Sequence, residues 1–258
     1  MSYDSAKKYF EAFLNNNFDI NDDKIIHKIN HTYNVVENAK YLCEHLNLDE
    51  VNTKLAMIIA LLHDIGRFEQ AKEMKSFRED IITFDHATLG VKILFENGEI
   101  SNYVNDESYY SIIKKAIENH SKYVLDETGM TDIEILQCKI IRDADKIDSF
   151  RAKTIDDIYT MANITKDDIE NSKVSKKVYD TFKECKTILS KDRKTGLDIW
   201  ISYIAFIFGL EFKESYELII KNDYLNKLFN RFEYKEDKIV VDELRKCAFE
   251  YLEKKLNQ

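Results

Sequence analysis

The chain has no proline and only six glycines in 258 residues. Those two residues start turns and punctuate strands, so an architecture of many short elements is excluded and long helices are favoured. Cysteine is also scarce: Cys43, Cys138, Cys185 and Cys247 lie far apart with no Cys-x-x-Cys pair. That excludes a disulfide framework or a thiolate zinc site, and it fits reduced, mostly buried thiols. The longest apolar run, residues 197–210, contains Asp198 and is too short to span a bilayer. The opening segment MSYDSAKKYF has no apolar signal core. A cytoplasmic protein with no membrane partner is expected. Basic residues are in deficit, 38 against 47 acidic ones, for a net charge of −9. Nonspecific nucleic-acid binding is therefore not expected.

What is present suffices for a folded interior: 44% hydrophobic and 33% charged residues are not the composition of a disordered chain. Apolar positions recur at three- and four-residue steps almost throughout, which predicts an all-α fold. Helices are expected over 22–46, 55–62, 86–96, 106–120, 132–148, 172–189, 196–208 and 241–256. Residues 55–62 (LAMIIALL) are apolar all round and read as a central helix, with Gly66 as a left-handed cap after it. Residues 67–84 read as an irregular loop, and 237–241 (DKIVV) as the best strand candidate. No linker rich in Gly, Ser or Pro divides the chain. The expected organisation is a helical core over 1–150 and a C-terminal helical extension over 151–258 packed on it.

All six histidines occur by residue 120, and four of them, His31, His63, His86 and His120, fall on inward-looking stripes of separate helices. A buried imidazole is commonly satisfied by a core hydrogen bond, but four on four helices call for a shared reason. Asp64, at the buried end of the central helix, adds to this, because an isolated buried carboxylate costs several kcal/mol. Metal ions resolve both, since neutral imidazole and carboxylate are their usual ligands. On 132–148, Asp145 and Asp148 flank the packed stripe and Asp143 is expected to face solvent. His27 lies one turn before His31 and is the weaker ligand candidate; His45 is expected to be solvated. Asp85 is expected to cap its helix.

These residues resemble a known family. His31, His63-Asp64 and Asp145, in the contexts HTYNVVENA, LLHDIGRF and RDADKID, are similar to the H…HD…D signature of the HD-domain superfamily of metal-dependent phosphohydrolases. The resemblance covers residues 22–150 and implies an HD-type helical bundle. It implies metal ligation by His31, His63, Asp64 and Asp145, with His86 and His120 matching the extra ligands of members that hold two metals. Neither the GYP extension of cyclic-di-GMP phosphodiesterases nor the E-D-T of stringent-response hydrolases is present, so neither substrate is inherited.

The implied activity is hydrolysis of a nucleotide or other small phosphate ester by a metal-activated water. One or two divalent ions are expected, with Mn, Fe, Co, Ni, Zn and Mg not distinguished. Asp64, Arg67 and Lys146 are the expected catalytic residues; Arg67, Lys146 and Lys122 are expected to bind the phosphate. Asp148 could orient a ligand or sit solvated at a helix end. Both side chains of an adjacent His63-Asp64 pair can engage metal only if the helix loosens near Gly66 or the ions sit over its end. Two other readings stand beside this one: a di-iron oxygenase of the same fold, and a non-catalytic helical signalling module. Trp200, Tyr203, Phe206 and Phe208 are expected to build core, and homodimerisation through the C-terminal region is left open.

Overall fold

A computed structural model describes the protein over residues 1–74 and 85–258. The described residues are helical, with no strand among them. In chain order the helices are α1 (Tyr3–Asn17), α2 (Asp23–His45), α3 (Glu50–Leu62), α4 (Ile65–Met74), α5 (His86–Val91), α6 (Ile100–Tyr103), α7 (Tyr110–Asn119) and α8 (Asp132–Ile155). They continue with α9 (Ile158–Ala162), α10 (Lys166–Glu170), α11 (Lys176–Lys183), α12 (Gly196–Ile204), α13 (Lys213–Lys221), α14 (Tyr224–Phe229) and α15 (Lys238–Leu256). The chain divides into two compact units, Met1–Asp148 and Ser149–Gln258, and the division falls inside α8. No helix among the described residues is long and apolar enough to cross a membrane.

In the first unit, α3 is the central element. Leu55, Ile58, Ile59, Leu61 and Leu62 are all buried, and such side chains each contribute roughly 1.5–3 kcal/mol of transfer free energy. α2 packs along α3, α1 lies on α3 and α6, and α4 packs on α5, which meets α7. Helix starts are set locally: Asp22, Asp49 and Asp85 each accept backbone N–H groups of the first turn of α2, α3 and α5. α8 begins with a capping box, in which Thr131 N donates to Glu134 Oε2 (2.8 Å) and Glu134 N to Thr131 Oγ1 (3.4 Å).

Three expectations need correction. Gly66 is not a left-handed cap but the second residue of α4. It is glycine because α4 and α5 touch backbone to backbone: a Cβ there would stand 2.3 Å from the carbonyl oxygen of His86. Of the expected 67–84 loop, 67–74 belongs to α4, and the remainder lies outside the described residues. The strand candidate 237–241 is Asp237 followed by the first turn of α15. There Val241, Leu244, Ala248 and Leu252 are buried at helical spacing, and that stripe overrides the β-branched start.

In the second unit Trp200 on α12 is fully buried and its Nε1 donates to Tyr234 Oη (3.0 Å), while Tyr203, Phe206 and Phe208 are half-buried. Asp198, the charge inside the longest apolar run, is also fully buried. It accepts the backbone N–H groups of Ser175 and Lys194, each at 2.8 Å, which supplies the bonds it would otherwise take from water. All four cysteines are free, and three of them are buried.

Candidate metal centre

The break between α3 and α4 builds the centre. α3 ends at Leu62 and α4 starts at Ile65, so His63 and Asp64 occupy a two-residue turn, closed by Arg67 N donating to Asp64 O (2.8 Å). Adjacent residues diverge on a continuous helix; freed from it, both side chains point into one crevice. His31 enters from α2, His86 from the first residue of α5, His120 from the C-cap of α7 and Asp145 from α8.

Asp64 stands in the middle. Its Oδ2 is 3.6 Å from Nε2 of His31 and 3.6 Å from Nε2 of His63. Its Oδ1 is 3.3 Å from Nε2 of His86 and 3.6 Å from Nε2 of His120. Asp145 Oδ1 lies 3.1 Å from His31 Nε2 and 4.0 Å from His63 Nε2. The four imidazoles and Asp64 are buried; the Asp145 side chain keeps 26% of its surface open, which makes it the solvent-facing edge. Three overlapping groups, His31–His63–Asp64, His63–His120–Asp145 and Asp64–His86–His120, each present ligand atoms within 4.8 Å of one another.

The remaining ring nitrogens decide which lone pairs are available. His63 Nδ1 donates to Ala60 O (2.7 Å), His120 Nδ1 to Ile117 O (2.7 Å) and His31 Nδ1 to the Asp148 carboxylate (2.7 Å). Each bond puts a ring proton on Nδ1 and turns Nε2 towards the carboxylates of the centre. His63 Nε2 is buried and accepts no hydrogen bond. Burial also pushes the pKa of His63 down to about 4, which keeps the ring neutral near pH 7. For Asp64, burial acts upward, but the Lys28 ammonium and the surrounding imidazoles outweigh it and hold the carboxyl well below its usual range. An orphaned imidazole lone pair beside ionised carboxylates is the donor set a divalent cation takes, so the residues fit a metal. With no sulfur among the donors, the set suits borderline and hard ions.

Around this centre, Arg67 Nε lies 3.7 Å from Asp64 Oδ1 and its Nη1 donates to Gln70 (2.9 Å). Lys146 is half-buried, with Nζ donating to Arg142 O (3.3 Å). Lys122 is exposed in the segment after α7. Asp148 is fully buried on His31, not solvated. Asp143, expected at the surface, is fully buried as well; it lies three residues after Ile140 and four before Ile147, inside a covered face wider than the stripe alone suggests. His27 is half-buried and belongs to none of the ligand groups, and His45 is exposed and stacked on Tyr41. Asp85 caps α5.

Sequence reasoning missed Lys28. Its Nζ is 2.7 Å from Asp64 Oδ2, with only 12% of the side chain open. The signal was there: Lys28 lies three residues before His31 on α2 and so shares its face.

Residues 29–149 match the family model of the HD domain. No curated protein and no solved structure matches the chain.

Proposed function

Since residues 29–149 are an HD domain, we propose that the protein is a metal-dependent phosphohydrolase acting on a nucleotide or other small phosphate ester. One observation carries the reading: each carboxylate oxygen of Asp64 faces its own pair of imidazole Nε2 atoms. A carboxylate placed that way suits two cations, one held by His31, His63 and Asp145 and the other by His86 and His120, with Asp64 shared. Bound there, such ions supply a water acidic enough to deprotonate near pH 7 and neutralise charge on phosphoryl oxygens.

The chain's own residues do the rest. Nδ1 bonds to Ala60, Ile117 and Asp148 hold the rings so that the lone pairs converge before any ligand arrives. Lys28 and Arg67, both on Asp64, give fixed positive charge at the mouth that an anionic ester oxygen would meet; Lys146 adds to it from α8. The open side of Asp145 marks the face on which substrate enters.

Elemental analysis of the purified protein, with hydrolysis assayed across a nucleotide panel in Mn²⁺ and Co²⁺, tests the reading. About two metals per chain and release of phosphate or cleavage of a phosphodiester are expected. Metal-free protein inert in both ions would end it. The six-donor set also favours a second reading, a di-iron oxygenase. Oxygen uptake by the iron-loaded protein, without phosphoester cleavage, would select that one.

A further inference from the structure

We propose that Arg142 is a positioning residue for His120, setting the half of the centre that His86 and His120 form; this rests on the two-metal reading above. Arg142 sits on α8, three residues before Asp145, and is 6% exposed. Its Nη1 donates to the carbonyl oxygens of Asn119 (2.7 Å) and Lys122 (2.6 Å), with that of His120 at 3.5 Å.

The placement has a reason in helix chemistry. α7 ends at Asn119, so the carbonyls of its last turn lack intrahelical partners and carry the negative end of the helix dipole. A side-chain cation there is favourable, and a guanidinium nitrogen with two hydrogens satisfies two carbonyls in a fixed fork. His120 lies between the two carbonyls so held, with Ser121. Its ring is then turned by the Nδ1 bond to Ile117 O (2.7 Å), which leaves Nε2 facing Asp64 Oδ1 (3.6 Å) and His86 Nε2 (2.9 Å).

Arg142 therefore ties the end of α7 to the helix that carries Asp145. His120 and Asp145 are members of one of the three ligand groups, together with His63. One side chain fixes the distance between ligands from two different helices. Lysine at this position keeps the charge, but its ammonium rotates on a flexible stem and does not hold both carbonyls in one fixed plane.

The test compares the full-length protein with Arg142→Lys and Arg142→Met. Mn²⁺ binding is measured by calorimetry and elemental analysis, and helicity by circular dichroism. Expected for Arg142→Lys is wild-type helicity, one ion bound with unchanged affinity and the second at least tenfold weaker. Arg142→Met is expected to weaken the second ion further. Both ions bound within twofold of wild type in folded Arg142→Lys would overturn the proposal.

A second readout needs no metal. Long-range ¹H–¹⁵N spectra of the apo protein are expected to show the Nδ1–H tautomer of His120 in wild type and a tautomer mixture in Arg142→Lys. An unchanged tautomer there would also count against the proposal. If wild type takes up no ion, the metal reading fails, and this spectrum still decides the role of Arg142.

Discussion

At the scale of single residues, His63 divides its two nitrogens between structure and chemistry. Nδ1 is committed to Ala60 O, and Nε2 is buried with nothing to accept. His63→Ala and Asp64→Ala are expected to abolish metal retention and turnover together; stoichiometric metal in both purified variants would mean the ligands are misassigned. His86→Ala is expected to take two bound ions to about one, read by elemental analysis. Asp148 bonds His31 Nδ1 and belongs to none of the ligand groups, so Asp148→Asn is expected to weaken metal binding by about 10–100-fold without abolishing it. Lys28→Met is expected to retain its ions and raise KM, with little change in kcat, if the ammonium serves substrate binding.

Glu134 supplies the pH dependence. Its carboxylate accepts the Thr131 backbone N–H first of all, then Ser111 and Lys115, and these hold it down to about 2. A carboxyl depressed in the folded state adds stability above its unfolded value, near 4.3, and loses it as pH falls towards 2. The melting-temperature gap between wild type and Glu134→Gln is therefore expected to be widest at neutral pH and to shrink between about pH 4.5 and 2. A gap that stays constant over that range would assign the effect to packing instead.

At the scale of elements, the decisive feature is the contact between α4 and α5. Gly66→Ala puts a methyl 2.3 Å from the His86 carbonyl oxygen. Because the obstruction is backbone, the two helices must part, at an expected cost of about 3 kcal/mol by denaturant titration. The same variant is expected to bind the His86-side ion more weakly. The sequence made α2 and α3 legible, because their stripes are long and regular and their aspartate caps are explicit. It made 241–256 legible as a helix but not the start of α15, because the β-branched run at 239–241 reads locally as strand. Gly66 was misread for a related reason: glycine at a helix end and glycine at a helix crossing look the same until the partner backbone is known. α1 went unread although Ala6, Phe10 and Leu14 form a buried stripe at helical spacing. The residues that converge on the centre were legible because four histidines on inward-looking stripes of separate helices are unusual. Arg142 and the burial of Asp143 were not, since each depends on which helix lies alongside.

At the scale of the whole molecule, metal binding at this centre would be linked to folding. An ion that binds only the folded form stabilises it by about 2.7 kcal/mol when present at a hundred times its dissociation constant. Treatment with a chelator is expected to lower the melting temperature, and restoring Mn²⁺ to recover it. An apo protein that melts as high as the loaded one would show that the centre is not coupled to the fold.

The donors of this centre are drawn from α2, the turn after α3, α5, the end of α7 and α8. They are strung over residues 31–145, a little under half of the polypeptide, and no two are neighbours in the chain except His63 and Asp64. Cations seated among them would act as rivets through five separate pieces of backbone. Amide exchange in those pieces should then slow in concert on loading, and protease should lose its grip on all of them at once.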